Sequence, residues 1–189
     1  MNRNYILGII LLLFSHVSWA GFIELGANAN YKSSKFNDDN TAETISYSGS
    51  IAYYFLEQCA FEITYTSGYS KQESQATPID DKYLIEDNFD MGSLDLVLSL
   101  AGKEAAVQPY LKLGGGYMIK ERFIKVNNGP KLSASQIEGF VPSAGAGVKF
   151  MLTNTFSIKL GVDAWTSPVS SNDEKTIDYS GRAGVSWIF

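Results

Sequence analysis

The residue types best suited to chemistry are scarce in this chain and poorly placed for it. The single histidine, His16, falls in an apolar stretch near the N-terminus. If that stretch is a cleaved leader, the mature chain keeps no imidazole. Most zinc sites and the Ser-His and Cys-His nucleophilic systems are then excluded. The single cysteine, Cys59, cannot form an internal disulfide and has no base beside it. It reads as a small apolar residue on a lipid-facing strand face, not as a nucleophile. Gly114, Gly115, Gly116, Gly145 and Gly147 lack the GxGxxG-helix context of a phosphate loop. They read as room for bulky interior neighbours or as places where strands bend. Asp80 and Asp81 sit among other loop charges without metal-loop spacing. No catalytic set, metal site or cofactor is expected. A formal charge of −5 argues against a nucleic-acid binder.

What remains is a set of charges whose placement follows a rule. Eight segments alternate apolar and polar residues with period two, at about 23–31, 45–55, 59–65, 94–100, 107–119, 140–152, 156–164 and 177–189. That period marks strands with two unlike faces. When the faces are chosen by apolar residues alone, the charges inside the strands are Glu24, Glu62, Asp95, Lys112, Lys149, Lys159, Asp163, Asp178 and Arg182. All of them fall on the opposite face. A Lys or Arg facing lipid at midplane costs roughly 2–4 kcal/mol, so a bilayer imposes this sorting. Asp90 breaks the rule if the fourth strand begins before residue 94, and a place at the water interface is expected for it.

The first twenty residues read as an address. Arg3 supplies a positive n-region, Tyr5 to Phe14 an apolar core, and Ser18-Trp19-Ala20 a cleavage site. This is the pattern of a secretory signal peptide over residues 1–20, cleaved between Ala20 and Gly21. The apolar core is too short to span a membrane as a helix. Removing it takes Arg3 away and leaves residues 21–189 more acidic than the whole chain.

Eight alternating strands suit an all-β, antiparallel, up-and-down transmembrane barrel. Connections near 56–58, 101–106 and 153–155 are short, while those near 32–43, 70–88, 120–138 and 167–176 are longer and polar. A soluble barrel with an apolar interior would show the same alternation. The aromatics favour the bilayer. Tyr31, Tyr47, Tyr65, Tyr117 and Tyr179 lie toward the long-loop ends of the apolar face, and Phe55, Phe61, Phe150, Phe156, Trp187 and Phe189 toward its short-turn ends. Two such belts around an aliphatic band are what a membrane selects. The inward charges must then be paired, and Asp95–Lys112 and Asp163–Arg182 are expected as cross-strand ion pairs. They read as structural filling, with a proton or ion path as the other possibility.

The sequence resembles the small outer-membrane β-barrel superfamily typified by OmpA and OmpX. The likeness rests on Gln108-Pro109-Tyr110 with Gly114 to Tyr117, on Gly145 to Phe150, and on the terminal Ser186-Trp187-Ile188-Phe189. It implies the outer membrane of a Gram-negative bacterium, with its lipids and lipopolysaccharide as surroundings. It also implies that the barrel assembly machinery reads Phe189 and that periplasmic chaperones are transient partners. Because the chain ends with its last strand, no cell-wall tether is expected. The expected role is structural or surface-interacting, as a monomer without enzymatic activity and with the long loops as the interaction surface. A narrow channel for small hydrophobic or ionic solutes is the alternative.

Overall fold

The computed structural model describes residues 21–37, 40–74, 83–126, 129–166 and 177–189. Eight strands follow one another: β1 (Phe22–Asn37), β2 (Asn40–Leu56), β3 (Cys59–Ser74), β4 (Tyr83–Ser99), β5 (Val107–Val126), β6 (Leu132–Met151), β7 (Phe156–Thr166) and β8 (Ile177–Ile188). Each pairs antiparallel with its neighbour, and β8 returns to β1 to close the barrel. Closure is set by Leu25 opposite Trp187 and Tyr31 opposite Gly181. Beyond the last ladder pair, Phe189 and Ile23 exchange backbone hydrogen bonds of 2.8 and 3.2 Å.

The period-two pattern becomes two surfaces. Ile23, Ile51, Ile63, Leu94, Leu113, Leu160 and Val162 point outward and are 45–66% exposed. So large an outward apolar surface suits a hydrocarbon surrounding. Glu24, Glu62, Asp95, Lys112, Lys149, Lys159 and Arg182 point inward and are buried. Asp163 and Asp178 point inward at partly buried positions. The two aromatic rims are present: Phe156 packs on Trp187 and Phe55 stacks on Phe61 at the short-turn end, and the tyrosines ring the other.

Three expectations need correction. The connections expected at 32–43, 70–88 and 120–138 are mostly strand, because β1–β6 run for 16–20 residues. A transmembrane strand needs about 9–11 residues, so the excess rises beyond the tyrosine belt as a ladder-bonded wall. Because β4 begins at Tyr83, Asp90 lies inside a strand on its outward face, where the Tyr65 hydroxyl donates to it at 2.8 Å. The register also differs from the one expected. Asp95 lies opposite Gly114 and Asp163 opposite Ser180. Val107 and Gln108 are taken up by the ladder to β6, which offsets the β4–β5 hairpin. The residues of the leader, with Ala20 at its cleavage site, and those of Asp80, Asp81 and Lys82 lie outside the described part. Gly21 is described and precedes β1.

Leu113→Arg places a charge on the outward aliphatic band. It should lower the unfolding free energy of the vesicle-inserted barrel by about 2–4 kcal/mol in urea titrations. A neutral result would mean that the faces are reversed.

Candidate functional site: the lumen and its mouth

The inward face is built in layers. At the short-turn end Phe22, Tyr54, Val97, Tyr110 and Ile188 form an apolar floor, with the Phe22 and Tyr54 rings stacked at 4.2 Å. Above it lies a ladder of alternating charge. Lys149 binds Glu24 at 3.0 Å, and Lys159 also binds Glu24. Lys159 reaches Glu62 at 3.7 Å, and Lys112 bridges Glu62 at 3.0 Å and Asp95 at 3.3 Å. Hydroxyls supply further donors. Tyr54 donates to Glu24 at 3.0 Å, and Ser93 and Ser143 donate to Asp95 at 3.1 and 2.8 Å. Alongside, Arg182 binds Asp163 at 3.1 Å and donates to the Tyr110 hydroxyl at 2.8 Å.

Both pairs named from the sequence therefore meet, but as diagonal neighbours and not as opposite ones. Long side chains span a two-residue offset on one sheet face. Small residues make the space. At Gly145 a Cβ would press on the Asp163 carboxylate and the Lys112 stem, and at Gly147 on the Tyr110 ring.

Phe89, Met118 and Val141, with Met91 and Trp165 against them, form a second apolar layer across the lumen. Beyond it, Lys32 binds Asp178 at 2.7 Å, so Asp178 belongs to the mouth and not to the ladder. Asp87 accepts two hydrogen bonds from Arg122, at 2.9 and 3.1 Å, and a contact from Lys120 at 2.8 Å. Asp87, Lys120 and Arg122 fall within the stretches near 70–88 and 120–138 that the sequence marks as long polar connections. They are strand residues turned into the mouth, and Lys131 pairs with Glu86. Lys120, Arg122 and Lys131 are therefore already engaged with carboxylates of β4.

The interior aromatics Phe22, Tyr54, Phe89, Tyr110 and Trp165 were missed. A signal was available for four of them: Phe22 shares the strand parity of Glu24, Phe89 that of Asp95, Tyr110 that of Lys112 and Trp165 that of Asp163, whereas β2 carries no charge on the parity of Tyr54.

The space left is small. A cavity of about 40 Å³ lies beside Asp95, Asp163 and Arg182, and one of about 50 Å³ beside Lys32, Lys120 and Asp178. Both are lined by Asn30, Ser46, Phe89, Trp165 and Ser180. Such volumes hold a few water molecules and no solute. The buried Oδ1 of Asn30 and Asp163 and the Oγ of Ser180 have no protein hydrogen-bond partner, so these spaces suit water. Among the described residues no group of three or more His, Cys, Asp or Glu side chains is arranged to hold a metal.

A family model for the outer membrane protein beta-barrel domain matches residues 9–189. Among solved structures, the N-terminal β-barrel domain of Pseudomonas aeruginosa OprF is similar at 17% identity, over 89% of this chain and 99% of that one, with a TM-score of 0.55. OprG from the same organism gives 16% identity, 89% and 95% coverage, and a TM-score of 0.56. Neisserial surface protein A gives 15% identity, 89% and 97% coverage, and a TM-score of 0.50. No curated protein matches the sequence.

Glu62→Leu leaves Lys112 and Lys159 short of a buried counter-charge and should cost about 3–5 kcal/mol. Pairing it with Lys112→Met should recover part of that loss, which urea unfolding of the two variants will measure. A second expectation concerns acid. Burial pushes the Asp87 carboxyl up, but hydrogen bonds from Arg122 and Lys120 outweigh it and hold the group below its ordinary range. Its stabilisation is therefore full above the ordinary aspartate range and lost as pH falls through the lowered value. The stability gap between wild type and Asp87→Asn should be constant near neutrality and close in strong acid.

Proposed function

Since the chain belongs to the outer membrane protein β-barrel domain family, we propose that it resides in the outer membrane of a Gram-negative bacterium as a structural or surface-interaction barrel. The observation that carries this reading is the filled lumen. A charge ladder sits between two apolar layers, and the spaces beside it and beside the mouth charges are about 40 and 50 Å³. A barrel so plugged serves as a rigid stand, and loops on rigid scaffolds carry binding. The strands themselves rise past the tyrosine belt.

No enzymatic role is assigned, because residues 21–189 contain no histidine and Cys59 lies opposite Leu56 and Leu98 in the ladder. Phe189, whose backbone closes onto Ile23, is the residue proposed to be read by the assembly machinery, with periplasmic chaperones as earlier partners. Outer-leaflet lipids and lipopolysaccharide are the proposed surroundings of the monomer.

The alternative, a narrow channel, draws on one feature. The two luminal cavities share a polar wall of Asn30, Ser46 and Ser180 that runs past Phe89 and Trp165. Planar bilayers separate the two readings. The purified barrel should give no steady single-channel openings, and reproducible openings absent from protein-free bilayers would favour the channel. The envelope fraction should yield a protein whose gel mobility shifts on boiling, and recovery as a soluble, unshifted protein would overturn both.

A further inference from the structure

The outward wall over β2–β5 is not uniformly apolar. Just above the row holding Tyr65 and Tyr117, the register aligns Tyr47, Ser67, Asp90 and Ile119 side by side. The next row is Ile45, Tyr69, Asn88 and Glu121. These two rows line an open groove of about 670 Å³. Below them, Gly49 and Gly92 flank Tyr65 in the ladder, and a Cβ at either would meet nothing within 4 Å. Each glycine is thus a recess beside the Tyr65 ring.

We propose that this groove is a binding site for the sugar headgroup of an outer-leaflet glycolipid, with its acyl chains in the recesses at Gly49 and Gly92. The inference rests on the outer-membrane reading above. The height of the groove, at the tyrosine belt, faces it to the headgroup layer and not to water or to the aliphatic core. Carboxylates only accept hydrogen bonds, so Glu121 and the lone pairs of Asp90 not taken by Tyr65 are matched by donors of that layer. Sugar hydroxyls supply them, whereas phosphocholine has none and bare phosphate is repelled. Tyr65 already holds Asp90 in place by donating to it at 2.8 Å. Ser67 and Asn88 add neutral donors and acceptors, and the Tyr47 and Tyr69 rings offer apolar faces to a pyranose. A single ammonium headgroup would leave most of these groups unused. The volume lies within the usual range for small-ligand sites.

The test is native mass spectrometry of the full barrel extracted from phosphatidylcholine vesicles that contain, in separate arms, a neutral glucosyl diacylglycerol, phosphatidylethanolamine or lipid A. The neutral glucosyl lipid should be retained about tenfold over phosphatidylcholine and over phosphatidylethanolamine. Lipid A, whose phosphates the carboxylates repel, should be retained less than the neutral glucosyl lipid. The double variant Asp90→Leu/Glu121→Leu and the single variant Gly92→Leu should each lose most of that preference. Both keep the heat-dependent gel shift, since leucine suits an outward position. Equal retention of all lipids by the wild type overturns the proposal. So does preference for phosphatidylethanolamine, or lipid A retention above that of the glucosyl lipid, or unchanged retention in the variants. Loss of the gel shift in the wild type instead tells against the barrel reading itself.

Discussion

Hydrocarbon offers no hydrogen bonds, and that constraint governs this molecule. A sheet with free edges would leave N–H and C=O groups unsatisfied inside the bilayer, each at a cost of several kcal/mol. The β1–β8 ladder removes that penalty by joining Glu24 to Ile188 and Tyr31 to Gly181. Once the sheet is closed, every strand must have an inside and an outside. The period-two pattern then fixes which residues meet lipid and which meet one another. The luminal ladder, the apolar layers and the outward bands all follow from closure.

Closure creates a second problem, since eight strands enclose a lumen about wide enough for side chains alone. Charged residues kept from lipid end up in that confined space. Glu24, Glu62 and Asp95 alternate with Lys149, Lys159 and Lys112, so each carboxylate has a cation within reach. Breaking one buried pair costs far more than the pair contributes. The ladder is thus better understood as specifying one packing of the lumen than as a source of net stability. The apolar layers on either side limit the approach of water to it.

The strand count, the closure, the two faces and the identity of the ladder residues were all legible in the sequence. Alternation over eight strands is a long-range pattern that no local propensity disguises. Register was not legible, because it depends on how each hairpin apportions its connecting residues. The β4–β5 connection gives Val107 and Gln108 to β6, and Asp95 thereby faces Gly114 and not Lys112. Strand length was also hidden. Above the tyrosine belt the segments around Lys71, Glu86 and Lys120 are polar on both faces, so they read as loops. They are held as strand by the cross-strand pairing of Asp87 with Lys120 and Arg122. The interior aromatics were hidden for a different reason: an apolar ring does not by itself say whether it fills the lumen or meets lipid.

The charge balance of the ladder has an electrical meaning. Glu24, Glu62, Asp95 and Asp163 carry four negative charges, and Lys112, Lys149, Lys159 and Arg182 four positive ones. An elementary charge moved across a membrane gains or loses about 2.3 kcal/mol per 100 mV. A plug with an excess charge would feel a net force along the barrel axis whenever the potential across the membrane changed. A neutral plug feels none, and only its internal dipole can respond. To first order, the filling of this barrel therefore feels no net force from whatever Donnan potential the surrounding salt imposes.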